Sequence, residues 1–142
     1  MRFWDASALV PTFLEEPASA EVHRWQAADT GVTIWMMTRV EVISSIARKR
    51  RERPESAVLW RRAIRDFQEA APTWTEISDA VAARFHAERI VMDYPLRAAD
   101  ALQLGAAIVA ADGDPQSLEV VTLDRRLAEA ARREGFPVLG VR

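Results

Sequence analysis

Four acidic residues stand where apolar, strand-like runs give way to helical ones, and they carry the clearest chemical content of this sequence. Asp5 closes a short N-terminal run of large residues, and Glu41 falls in the first helical turn after Val32-Thr33-Ile34-Trp35. Asp100 opens a stretch rich in alanine and leucine, and Asp124 follows an apolar run that ends at Leu123. If the four meet, some must be protonated or a divalent cation must hold them, because adjacent carboxylates cannot all stay ionised unaided. All-oxygen ligation with few neutral donors suits Mg2+ or Mn2+, at about 2.1 Å with several waters retained, and disfavours zinc.

Each acid also has an ordinary structural role open to it. Thr38-Arg39-Val40-Glu41 matches a capping box, in which Glu41 would reach back to the helix start. Asp124 suits an N-cap after Leu123, and Asp100 could pair with Arg97 three residues earlier on the same helix. Asp5 is the hardest to assign to packing, since a carboxylate amid Phe3, Trp4, Ala6 and Ala8 is costly to bury without a partner. Capping alone gives no reason for acids to recur at the end of successive strand-helix units.

The elements that must position these groups read as strand and helix in alternation. Residues 2–5 form a first strand, and Ala6-Ser7-Ala8-Leu9 favours helix. A second helix starts near Pro17, carries Val22, Trp25 and Ala28 at helical spacing, and stops before Gly31. Residues 32–35 are β-branched and aromatic. A helix over 38–53 follows, with Val42, Ile43 and Ile46 on one stripe, then Pro54 and a further helix to Phe67, so that the two form a hairpin. Residues 73–77 alternate as a strand, and Ser78 is placed to cap a helix bearing Val81, Ala82, Phe85 and Ile90. A buried helix over 97–111, a strand over 118–123, a helix over 124–134 and an edge strand over 137–141 complete the pattern. Five strands alternating with helices predict an α/β fold whose parallel sheet is covered on both faces, with its ligand site beyond the carboxyl ends of the strands.

A chain of 142 residues with 49% hydrophobic and 28% charged residues fits one globular domain over 1–142. It has no cysteine, which excludes a disulfide framework, a thiolate metal site and a cysteine nucleophile. No apolar stretch approaches the roughly 20 residues of a membrane span, and the first five residues do not read as a signal peptide. A cytoplasmic setting is the expectation. The formal charge of −2 argues against an overall cationic nucleic-acid surface. Arg48, Lys49, Arg50, Arg51, Arg53, Arg61, Arg62 and Arg65 nevertheless concentrate 8 of the 19 cations, as a solvated helix face or an anion-binding one. His23 and His86 are solitary, and the five tryptophans lie on regular elements as core or interface anchors.

Asp5-Ala6-Ser7-Ala8-Leu9 after the first strand, Thr38-Arg39-Val40-Glu41, Asp100-Ala101-Leu102-Gln103-Leu104 and Thr122-Leu123-Asp124 together resemble the PIN-domain family, most closely its VapC-type toxin branch. The resemblance spans essentially the whole chain. It implies a PIN-like three-layer sandwich and a Mg2+- or Mn2+-dependent ribonuclease, neutralised by a VapB-like antitoxin and able to form a homodimer. Carried across, the family's acidic positions correspond to Asp5, Glu41, Asp100 and Asp124, as catalytic and metal-binding residues. Ser7 and Thr122 match hydroxyl positions that would orient a carboxylate or a metal-bound water. Gln103 stands where many relatives carry histidine and is given no catalytic role.

The chemistry so implied is hydrolysis of RNA phosphodiester bonds, with one or two bound ions activating water and offsetting phosphate charge. Arg48, Lys49, Arg50 and Arg51 are the expected RNA-binding cations. The helices over 18–28 and 38–67, with Trp25, Trp60 and Phe67, are expected to offer a groove to the antitoxin or to a second copy. Two other classes compete. A degenerate PIN scaffold would bind protein or RNA without turnover. An aspartyl-phosphate phosphohydrolase would also use an aspartate after its first strand, but its usual second aspartate falls on Ser7, and the sole lysine, Lys49, is not at a strand end.

Overall fold

The computed structural model describes residues 1–141. In chain order the elements are β1 (Arg2–Trp4), α1 (Ala6–Phe13), α2 (Ser19–Ala27), β2 (Val32–Trp35), α3 (Thr38–Glu52) and α4 (Ala57–Ala70). They continue with β3 (Thr75–Ile77), α5 (Ala80–Asp93), α6 (Ala98–Ala111), β4 (Glu119–Thr122), α7 (Arg125–Arg133) and β5 (Val138–Gly140). The five strands form one sheet in the order β3-β2-β1-β4-β5, and every pair is parallel.

Successive residues of a strand point to opposite faces, and here both faces are apolar. Phe3, Trp35 and Val120 enter one core with Ala83, Ala87 and Ile90 of α5, Leu104 of α6 and Leu127 of α7. Trp4, Ile34 and Val121 enter the other with Leu9 of α1, Val22 of α2, Val42 and Ile46 of α3, and Trp60 and Phe67 of α4. The result is three layers: α1 to α4, the sheet, and α5 to α7. The chain winds from β1 outward to β2 and β3, then returns to lay β4 against the other side of β1, so the switch point lies between β1 and β4. That is where a parallel sheet opens a crevice at its carboxyl ends.

The order of elements follows the sequence pattern, but several faces and caps do not. Of the apolar residues that outline α5 in the sequence, Val81 and Phe85 are 66% and 73% exposed, while Ile90 is buried together with Ala83 and Ala87. The cause lies on α6, where a Cβ on Gly105 would stand 2.4 Å from the Ala83 carbonyl oxygen. Helices this close can only present small residues to each other, so the alanine face of α5 turns inward and its larger side chains turn outward. Asp79, not Ser78, caps α5, accepting from the Ala82 N–H at 2.9 Å. Ile43 leaves the expected stripe and is exposed, whereas Val42 and Ile46 are buried. Phe67 is buried against Phe13 and Trp74 and does not line the cleft between α3 and α4.

Candidate active site

The switch-point crevice holds all four acids named from the sequence. Asp5, Glu41, Asp100 and Asp124 line one open pocket of about 550 Å3, together with Ser7, Ser44, Ser45, Arg48 and Arg97. Each acid arrives on its own element. Asp5 follows β1 and caps α1, Glu41 sits in the first turn of α3, Asp100 in the first turn of α6, and Asp124 caps α7 after β4.

Asp5 is buried and held on one side only. Its Oδ2 accepts hydrogen bonds from the Ser7 hydroxyl, from the Ser7 N–H at 3.3 Å and from the Thr122 hydroxyl at 2.9 Å. The Leu123 N–H donates to Ser7 Oγ at 2.9 Å, and the Asp124 N–H donates to Thr122 Oγ1 at 3.1 Å. A backbone N–H can only donate, so each hydroxyl accepts there and keeps its own proton for Asp5. The two hydroxyls thus tie the end of β1 to the turn after β4 and fix the Asp5 rotamer. Among the described residues no hydrogen bond reaches Asp5 Oδ1, which leaves that oxygen to the pocket.

The capping-box role expected as an alternative for Glu41 is not formed. Thr38 is the first residue of α3 rather than its cap, is fully buried, and exchanges hydrogen bonds with the Gln103 side chain. The Gln103 amide also donates to Glu41 Oε2 at 3.3 Å. Gln103 is therefore a site residue that sequence reasoning set aside. The available signal was an amide inside an otherwise apolar helix, since a buried amide requires partners.

Asp124 combines both roles weighed for it: it caps α7 through the Leu127 N–H at 2.9 Å and also lines the pocket. Asp100 lies near Arg97, but no ion pair within 4 Å joins them among the described residues.

Crowding acts on the protonation of these groups. Burial raises the Asp5 pKa above the ordinary carboxylate range, with a further push from Asp124 and opposition from the Ser7 and Thr122 hydrogen bonds. Burial, then the charge on Asp5, raises Glu41 to about 7, while its bond from Gln103 works the other way. Asp100 is raised by burial and by Asp124 and Asp5, against the pull of Arg97 and Arg126. A bound cation is the group that would reverse these shifts. The donors at the pocket are oxygens, with no histidine or sulfur, and they fit a hard divalent ion. Among the described residues no three Asp, Glu, His or Cys side chains already stand in an ion-holding group.

The four basic residues singled out from the sequence diverge. Arg48 reaches the acidic pocket. Lys49 forms an ion pair with Glu16, and Arg50 and Arg51 line a separate cleft between α3 and α4 with Trp60, Arg61, Ile64 and Arg65. A helical advance of about 100° per residue spreads four consecutive side chains around the axis, so a charge run is not one face. The cations that do flank the acids include Arg97, weighed from the sequence only as a partner for Asp100, and Arg125 and Arg126, which sequence reading passed over. Their signal was adjacency, since Arg125 and Arg126 directly follow Asp124.

A three-layer parallel α/β fold with an acidic pocket at its switch point defines a class, and comparison with known proteins supplies the family. The chain belongs to the PIN-domain family, whose model matches residues 2–133. PIN domains are in general nucleases, and PIN nucleases typically use divalent metal ions.

Among solved structures, PAE2754 from Pyrobaculum aerophilum is similar at 21% identity and TM-score 0.67, over 96% of this chain and 87% of that one. A toxin-antitoxin complex from Klebsiella pneumoniae is similar at 18% identity and TM-score 0.63, over 98% of this chain and 96% of that one. FitAcB from Neisseria gonorrhoeae is similar at 19% identity and TM-score 0.57, over 99% and 97%. At these identities the likeness is one of fold. No curated protein matches the sequence. Among the described residues no helix is long and apolar enough to cross a membrane.

Proposed function

We propose that the chain is a single PIN domain acting as the toxin of a VapBC-type pair, a Mg2+- or Mn2+-dependent ribonuclease working in the cytoplasm. The observation that carries this reading is the pocket itself, where carboxylates from four separate elements line one crevice at the switch point of the sheet. When bound, the ion would supply an activated water and charge compensation for the phosphate oxygens.

The protein's own groups divide the remaining work. Asp5, locked by Ser7 and Thr122, presents Oδ1 as the central ligand. Asp100 and Glu41 act as ligands directly or through water, with Gln103 holding the Glu41 carboxylate in place. Asp124, anchored to the start of α7, orients water or completes a second ion site. Arg48 attracts the phosphate backbone from the α3 side of the pocket.

The antitoxin is assigned to the cleft between α3 and α4, where Trp60 and Ile64 lie among Arg50, Arg51, Arg61 and Arg65. That lining suits an amphipathic segment with acidic flanks. The likeness to the Klebsiella pneumoniae toxin-antitoxin complex supports an antitoxin partner. Self-association is part of the reading and is checked by light scattering.

Cleavage of total cellular RNA, mapped with and without chelator, tests the function. Chelator-sensitive cuts that vanish with Asp5→Asn are expected. Absence of cleavage with either metal would favour the non-catalytic scaffold, the second reading, which draws on the lack of a ready-made ion-holding group among the described residues. The aspartyl-phosphate reading is disfavoured because Ser7 is committed to binding Asp5 and Lys49 is paired away from the pocket.

A further inference from the structure

Beside the acidic pocket lies a second open cleft, of about 580 Å3, lined by Arg97, Ala99, Asp100, Asp124, Arg125 and Arg126. Arg97, Ala99, Asp100 and Asp124 line both, so the two cavities share a wall and form one continuous path. Arg97 stands at the start of α6 and makes no side-chain capping bond, while Arg125 and Arg126 are the first two residues of α7. All three are exposed, and among the described residues none has an ion-pair partner within 4 Å.

Their placement does nothing for the helices. A cation in the first turn opposes the helix dipole by about 0.3–1 kcal/mol, whereas the same residue in the last turn would be favourable. Three guanidinium groups without a close ion pair thus line one cleft, where Arg97 and Arg126 feel the Asp100 charge but a further anion would be rewarded. The acids on the shared wall cannot be that anion in full, because their own charge is what the neighbouring pocket requires. An external phosphate meets both demands, since guanidinium recognises phosphate oxygens through paired N–H donors.

We propose that Arg97, Arg125 and Arg126 form a phosphate subsite that holds the RNA strand on the α6–α7 side of the scissile bond. This rests on the nucleolytic reading and deepens it. With Arg48 on the α3 side of the acids, the strand would be gripped on both sides of the reacting phosphate, so that the carboxylates meet a substrate already held against their repulsion.

Fluorescence anisotropy with a labelled single-stranded 12-nucleotide RNA in EDTA reads binding without turnover. The double variant Arg125→Ala/Arg126→Ala is expected to weaken binding about tenfold and to reduce the dependence of log K on log salt by about 1.4, at roughly 0.7 per lost phosphate contact. Its thermal midpoint is expected to hold or rise, which separates the effect from misfolding. The control Arg132→Ala/Arg133→Ala removes the same charge from the far end of α7 and is expected to change affinity less than twofold.

Equal weakening by both pairs would reduce the effect to net charge and overturn the subsite. Unchanged binding with the first pair would overturn it while leaving the nuclease reading intact. Failure of the unaltered chain to bind RNA both in EDTA and with Ca2+ in its place, an ion that compensates the carboxylates, would overturn that reading and the subsite with it.

Discussion

The protein has two arginine-lined clefts of different character, and the difference lies in what accompanies the arginines. Beside the switch point, Arg48 and Arg97 share a pocket with four carboxylates, two of which lie within two residues of the ends of central strands. Between α3 and α4, Arg50, Arg51, Arg61 and Arg65 surround Trp60 and Ile64 with no carboxylate in the lining. The first arrangement is costly for the fold, because like charges are crowded and partly buried, and it suits an ion and a phosphate. The second buries apolar surface beneath a cationic rim and suits a peptide. Charge density along the sequence marks the second cleft, whereas the carboxylates gather in the first.

The sharpest way to break this contrast is to neutralise one residue in each cleft and compare turnover. Asp5→Asn is expected to lower Mg2+-dependent RNA cleavage by about 100-fold or more with the fold intact. Arg50→Ala/Arg61→Ala is expected to leave cleavage within about threefold, since those side chains lie outside the acidic pocket. A large loss of turnover in the second variant would mean that the clefts form a single substrate path.

Stability against pH sharpens the contrast next, because only one cleft holds crowded acids. Glu41 has a folded pKa of about 7 against an ordinary value of 4.5, so the folded state binds the extra proton between those limits. Its contribution is fully present below pH 4.5 and is lost as pH rises through about 7. Glu41→Gln should therefore match the parent below that window and exceed it above pH 7, by as much as about 3 kcal/mol in metal-free buffer. Denaturant titrations at pH 4 and pH 8 measure the difference, and a gap of equal size at both would rule out the raised Glu41. Gln103→Leu removes the hydrogen bond that opposes the shift, so the Glu41 titration followed by NMR should move upward.

Smallest of all is Thr33→Val. The Thr33 hydroxyl is buried in β2 with no hydrogen-bond partner among the described residues. Replacing it should be neutral or stabilising by up to about 1 kcal/mol and leave both clefts unchanged. A clear fall in the thermal midpoint would point to an unseen partner.

How much was legible in the sequence follows from which forces act locally. The parallel sheet was legible because strands buried on both faces read as apolar runs between helical periods, and residues 32–35 show this plainly. The acids were legible because Asp5 and Asp124 sit directly after such runs. The inward face of α5 was not, since it is set by how closely Gly105 lets α6 approach, a contact between elements that apolar spacing along α5 cannot report. Gln103 was missed for the same reason, as its partners Thr38 and Glu41 come from elsewhere in the chain, whereas Arg125 and Arg126 carried a local signal beside Asp124 that the denser basic run over 48–65 outweighed.

The central claim is that the four carboxylates act together on one divalent site, and Mn2+ titration followed by electron paramagnetic resonance tests it most directly. Saturable binding by the unaltered chain is expected, with affinity lost on Asp5→Asn and reduced by Glu41→Gln, Asp100→Asn and Asp124→Asn. Mn2+ binding that is absent, or that survives all four substitutions unchanged, would contradict it.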